Sequence, residues 1–131
     1  MEINVEINMP LDRLEVPTLR EKIGWGRREQ DFPTLLERCN FWAGVRNDEN
    51  ELIAFGYVCG MGLEHGYLED IMVDPQYQNR GIGVTLVQAL IEEAKKFGLE
   101  ILTVTFESGN ENFYRVAGFN ASKGGVLYLD A

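Results

Sequence analysis

The chain has 131 residues, 45% of them hydrophobic, and its 12 basic and 21 acidic side chains leave a formal net charge of -9. That length supports one compact domain over residues 1–131, and the acidic balance argues against nucleic acid or an anionic membrane as partner while suiting a cationic acceptor such as an amine. No apolar run approaches the roughly 18 residues that span a bilayer, and the opening MEINVEINM holds no basic residue, so a cytoplasmic protein is expected.

Glu2 to Asn8 alternates strictly, with Ile3, Val5 and Ile7 on one side, which predicts a half-buried first strand ended by Pro10. Leu11 to Ile23 and Asp31 to Cys39 read as two short helices, the second with Asp31 as N-cap and Pro33 in its first turn. The Gly24-Trp25-Gly26-Arg27-Arg28 loop between them is a candidate wall for an acceptor site. Phe41 to Arg46 and Leu52 to Cys59 form an antiparallel hairpin through the turn-forming run Asn47-Asp48-Glu49-Asn50. A tight turn at Gly60-Met61-Gly62 leads into a strand from Gly66 to Val73.

Beyond that strand, Ile82, Leu86, Val87, Leu90, Ile91 and Ala94 mark one face of a long helix that Gly98 closes. Ile101 to Thr105 is apolar and β-branched, a buried strand lying parallel to residues 68–73 because a helix makes the crossover. Asn110 serves as N-cap for a short helix carrying Phe113, Tyr114 and Ala117, and Val126 to Leu129 is a last strand. Cys39 and Cys59 have nineteen residues between them, no C-x-x-C spacing and only His65 as an imidazole partner, so neither a metal site nor a disulfide framework is signalled.

The most informative stretch is Gln78-Asn79-Arg80-Gly81-Ile82-Gly83, set between the strand ending at Val73 and the long helix. A helix N-terminus exposes unpaired N–H groups and about half a positive charge, and glycines at its mouth let an anion approach the backbone. Arg80 adds a cation there. A P-loop would need Lys and Ser or Thr after Gly81, where Ile82 and Gly83 stand, and a dinucleotide fingerprint would need glycine at Leu86. The plain alternative is a glycine-rich helix start with no ligand.

Together, Val73-x-Pro75-x-Tyr77-Gln78-x-Arg80-Gly81-x-Gly83 and the downstream Phe113-Tyr114-x-x-x-Gly118-Phe119 resemble the GCN5-related N-acetyltransferase (GNAT) family. The resemblance spans nearly the whole chain. It implies an α/β fold with a mixed six- or seven-stranded sheet and about four helices, opening between residues 68–73 and 101–105 to admit acetyl-CoA. It implies that Gln78, Asn79, Arg80, Gly81, Ile82, Gly83 and Val84 hold the pyrophosphate. It also implies that the backbone of Ile71, Met72 and Val73 pairs with the pantetheine arm, with Asn110 and Phe113 nearby. Dimers are common in the family, so a homodimer is among the expected states, and no metal is expected.

Acetyl transfer to an amine needs a neutral nucleophile, and an alkylamine with a pKa near 10.4 costs about 4.6 kcal/mol to deprotonate at pH 7. On a regular strand residues 67, 69, 71 and 73 share one side, away from Asp70. The resembled family often places a polar residue two or four positions before this stretch as proton acceptor, which makes Glu69 the base candidate, with Tyr67 or His65 as helpers in a water relay. The resemblance also makes Tyr114 the donor to the departing sulfur. The family's frequent Asn seven residues before that Tyr is replaced by Glu107. A rival reading is a non-catalytic acyl-CoA sensor acting on a protein partner.

Overall fold

The structure, a computed structural model, describes residues 1–130. Its centre is a five-stranded sheet in the order β1 (Val5–Ile7), β2 (Phe41–Arg46), β3 (Leu52–Cys59), β4 (His65–Val73), β5 (Ile101–Val104). Neighbours from β1 to β4 pair antiparallel, whereas β4 and β5 pair parallel because α3 (Ile82–Phe97) carries the chain back between them. The remaining helices are α1 (Glu15–Lys22), α2 (Thr34–Arg38) and α4 (Glu111–Val116).

The sheet separates two cores. One gathers Ala43, Val45, Val58 and Leu68 with Leu86, Val87 and Leu90 of α3 and Tyr114 of α4. The other packs Val16 and Leu19 of α1 and Phe32 against Leu52, Phe55 and Met72. The apolar stripe expected on α3 is the one that is buried, with Ile91 partly so. Truncating a leucine so completely enclosed costs about 2–5 kcal/mol, which makes α3 the anchor of its side of the sheet. Gly98, at φ +98°, ends it as the glycine signal requires.

One irregularity decides the shape of the site. Phe55 opposes Met72 and Tyr57 opposes Glu69, so Asp70 and Ile71 together face the single residue Gly56. This is a β-bulge, with Asp70 in the left-handed region at φ +52°. Gly56 is what permits it: a Cβ there would stand 2.4 Å from the Ile71 Cδ1. The regular alternation expected through residues 67 to 73 is therefore broken. Ile71 and Val73 pack on the α3 core, Met72 enters the α1 core, and Glu69, opposite Tyr57, lies on the α1 side with it. Asp70 does not point away from Glu69 as expected, since its carboxylate meets Arg20 of α1.

Three other expectations change. Helix α1 starts at Glu15 rather than Leu11, because Asp12 folds its carboxylate onto the Leu14 N–H at 2.9 Å in a local turn that competes with helix. Asp31 closes a short 3₁₀ turn over Glu29–Asp31 and bonds Arg28 instead of capping; Phe32, before Pro33, is extended, so α2 begins only at Thr34. Val126 to Leu129 forms no strand, and the sheet has five strands rather than six or seven. Those four side chains are between 61% and 90% exposed, and a continuous apolar run turns no single face to a core whose burial would offset the ordering of its backbone.

Strand β5, expected to be buried and to lie beside residues 68–73, is part-exposed, with Ile101 48% exposed at the sheet edge, and pairs only with His65 to Leu68. From Glu69 onward β4 has no strand beside it on that edge, and the gap opens toward the start of α3 and toward α4.

Candidate functional site

A cleft of about 460 Å³ occupies this opening, lined by Ile71, Met72 and Val73 of β4, by Gln78, Asn79, Gly81, Ile82, Gly83 and Val84 around the α3 N-terminus, and by Asn110, Phe113 and Tyr114. Ile23 and Tyr77 complete the lining. Asp74 fixes how the chain leaves β4: its buried side chain accepts from the Gln76 N–H at 2.9 Å and from Lys22 Nζ at 3.3 Å. Gln78 then donates back to the Val73 carbonyl at 3.1 Å, tying the loop to the strand end.

The mouth of α3 suits an anion. Gly81 is its N-cap at φ +81°, no side chain caps the helix, and nothing lies within 4 Å of where a Gly81 Cβ would stand. The first-turn N–H groups keep their positive partial charge facing the cleft rather than spending it on a capping oxygen. Gly83 has a different reason to be glycine. A Cβ there would meet the Phe113 ring at 2.9 Å, so this glycine lets α4 close against α3. Arg80 is not in the lining; its guanidinium stacks on the Tyr77 ring at 5.1 Å and forms a cationic rim.

Tyr114 is buried, 8% exposed, within an aromatic group: Phe106 stacks on it at 5.0 Å and Phe113 and Phe119 meet it edge-on at 4.9 and 5.9 Å. Burial, with a smaller push from the Glu69 charge, raises its phenol to about 12, so at neutral pH it is a proton donor. Asn110 occupies the N-cap position of α4 without a capping side-chain bond and lines the cleft, whereas Glu107 stands exposed outside the lining.

Glu69 does not line the cleft. It stands exposed across the bulge, within electrostatic reach of Tyr114. Partial loss of water, and then the neighbouring Asp70 charge, hold its carboxyl above the ordinary glutamate range. His65 is engaged with Thr103 of β5 at 2.6 Å and its ring stacks on Tyr67 at 4.6 Å, which leaves Tyr67, 44% exposed, the freer of the two helpers. Burial pushes the Cys39 thiol up to about 11 and Cys59 upward as well, so neither is an activated nucleophile. Among the described residues no three His, Cys, Asp or Glu side chains stand together as ion ligands, and no helix is long and apolar enough to cross a membrane.

Sequence reasoning missed Ile23 and Tyr77. Tyr77 lies inside the loop motif and was within reach. Ile23 was not, because nothing in the sequence says that the end of α1 folds across the sheet to β4.

The sheet is parted at its parallel pair, and the uncapped glycine mouth of α3 and the Tyr114 phenol both face the opening. The chain belongs to the acetyltransferase (GNAT) family, whose model matches residues 9–119. It is 25% identical over 127 residues to a histone acetyltransferase from Glycine max, covering 88% of this chain and 55% of that protein. It is 30% identical over 74 residues to a chloroplastic GCN5-related N-acetyltransferase from Arabidopsis thaliana, covering 56% and 38%. The chain thus spans about half the length of these relatives, one of which is named as chloroplastic. A probable acetyltransferase from Staphylococcus aureus shares the fold at a TM-score of 0.81 and 20% identity, over 96% of this chain and 98% of that one. Glucosamine-6-phosphate N-acetyltransferase from Arabidopsis thaliana does so at 0.77 and 19%, over 97% and 99%.

Proposed function

We propose that this chain is a single domain that transfers the acetyl group of acetyl-CoA to a primary amine by direct attack in a ternary complex. The observation that carries the reading is the uncapped α3 N-terminus opening onto a cleft that also holds the Tyr114 phenol. Both features fit acetyl-CoA: the N–H groups around Gly81 to Val84 would hold the pyrophosphate, with Arg80 at the rim. The β4 segment Ile71 to Val73 would pair with the pantetheine arm as an added strand, flanked by Asn110 and Phe113. When bound, acetyl-CoA supplies an acetyl group activated as a thioester.

The chain's own residues do the rest. Glu69 accepts the proton of the acceptor ammonium through water, aided by Tyr67, and restores a neutral nucleophile. Tyr114, held as a neutral phenol, donates to the sulfur as it takes up charge; the thiol it leaves has an ordinary pKa near 8.5, below that of Tyr114, so the phenol is a hydrogen-bond donor first and a proton source through exchange with water. Backbone N–H groups of the bulged strand polarise the acetyl carbonyl. The negative overall charge favours a cationic acceptor.

The test is release of free CoA thiol from acetyl-CoA across a panel of amines. Amine-dependent release that falls in Tyr114→Phe supports the transferase. Tight acetyl-CoA binding with no release on any amine would overturn it in favour of a non-catalytic sensor.

A further inference from the structure

One ion pair on the α1 side of β4 has no part in the chemistry above. Arg20 Nη1 lies 2.6 Å from Asp70 Oδ2, its Nε donates to the Gly26 carbonyl at 2.7 Å, and its guanidinium sits 5.3 Å from the Trp25 ring centre. The two side chains are only 15% and 21% exposed. One planar fork thereby joins helix α1, the kink in β4 and the 24–28 loop, a task for which a lysine point charge is unsuited.

The kink is where the backbone leaves regular strand geometry. Asp70 holds φ +52°, in the left-handed region that Asp tolerates better than most side chains, and the residue before it is Glu69. Around Glu69 stand Tyr57 and Cys59 from β3, Tyr114 from α4, and Tyr67 and Asp70 on its own strand; Arg20 and Arg28 act on Asp70 from the other side. Were the kink to relax, Glu69 would swing relative to both the sheet and the loop.

We propose that Arg20 is a positioning residue for the acceptor half of the site: through Asp70 it fixes the β4 kink that aims Glu69, and through Gly26 and Trp25 it holds the 24–28 loop beside that kink. The inference rests on Glu69 being the proton acceptor. It assigns the 24–28 loop to the acceptor side; the α3 mouth, proposed for the pyrophosphate, and the side chains lining the cleft make no hydrogen bond to the pair.

The experiment compares wild type with Arg20→Met, Arg20→Lys, Asp70→Asn and Glu69→Gln. It reads acetyl-CoA affinity by calorimetry, amine kcat/KM by thiol release, and the titration of the Glu69 carboxyl carbon by NMR. Arg20→Met should lower amine kcat/KM about tenfold while acetyl-CoA affinity stays within about twofold, with partial recovery in Arg20→Lys. Asp70→Asn should shift the Glu69 midpoint down, as a like charge is removed. Should Asp70→Asn fail to fold, Asp70→Gly keeps the left-handed backbone without the carboxylate and must give the same shift. Equal losses of acetyl-CoA affinity and amine turnover in Arg20→Met would make the pair a general brace and overturn the proposal. If Glu69→Gln leaves turnover and its pH profile untouched, the base assignment fails instead. The NMR signal still judges the clamp, which a Glu69 carboxyl carbon with its wild-type shift and midpoint in Arg20→Met would refute.

Discussion

The two walls of the site are made of different material. The wall proposed for the cofactor is mainly backbone: the uncapped start of α3, the free edge of β4 after Leu68, and glycines whose missing side chains leave space for neighbours. The wall proposed for the acceptor is side chains: Glu69, Tyr67, and the fork of Arg20 on Asp70 and Gly26. Backbone groups do not change with a substitution, whereas side chains can be exchanged singly and titrate, so on the proposed reading specificity and pH response would reside in the second wall.

The largest effect expected is on the step that needs both walls. Tyr114→Phe removes the donor but keeps the ring inside its aromatic group, and should lower kcat about a hundredfold with acetyl-CoA affinity unchanged, as stopped-flow thiol release and calorimetry would report. Glu69→Gln breaks only the acceptor wall. It should cost about thirtyfold in kcat/KM and abolish the acid limb of the pH profile. In wild type that limb must lie above the ordinary glutamate range, because the carboxyl is raised and activity requires it ionised: rate grows as pH climbs through its pKa.

Gly83→Val breaks only the cofactor wall. Its new side chain would push Phe113 off α3, and acetyl-CoA affinity should fall about tenfold by calorimetry, together with a loss of about 1–3 kcal/mol of stability. A smaller effect lies outside both walls. Glu15 is bound by both arms of Arg46, at 2.5 and 3.1 Å, and that hydrogen bonding holds its pKa below the usual value. A lowered folded pKa gives stability that is fully present above the unfolded value near 4.3 and lost as pH falls through the folded one. Glu15→Gln should therefore cost about 1 kcal/mol at pH 7 and progressively less as pH falls below the unfolded value, in urea melts.

The same division explains what could be read from the chain. The cleft was legible because its residues are written as glycines and breaks at fixed spacing: apart from Arg80, which stacks on Tyr77 at the rim, every residue named as a cofactor candidate lines it. The long amphipathic helix and the parallel crossover followed from periodicity. The acceptor wall was only partly legible. Glu69 was reached through an alternation that the bulge at Asp70 and Ile71 interrupts, and a bulge leaves its trace in a distant residue, Gly56, whose need to be small is visible only once Ile71 lies over it. The pairing of Arg20 with Asp70 spans fifty positions and has no local signature. The sixth strand failed for a related reason, since propensity at Val126 to Leu129 does not supply a partner.

The most direct test of this division is calorimetric titration of acetyl-CoA into wild type, Gly83→Val and Glu69→Gln. The account predicts binding to wild type, an equal affinity in Glu69→Gln and about tenfold weaker binding in Gly83→Val. No binding to wild type, or a loss in Glu69→Gln as large as that in Gly83→Val, would contradict it.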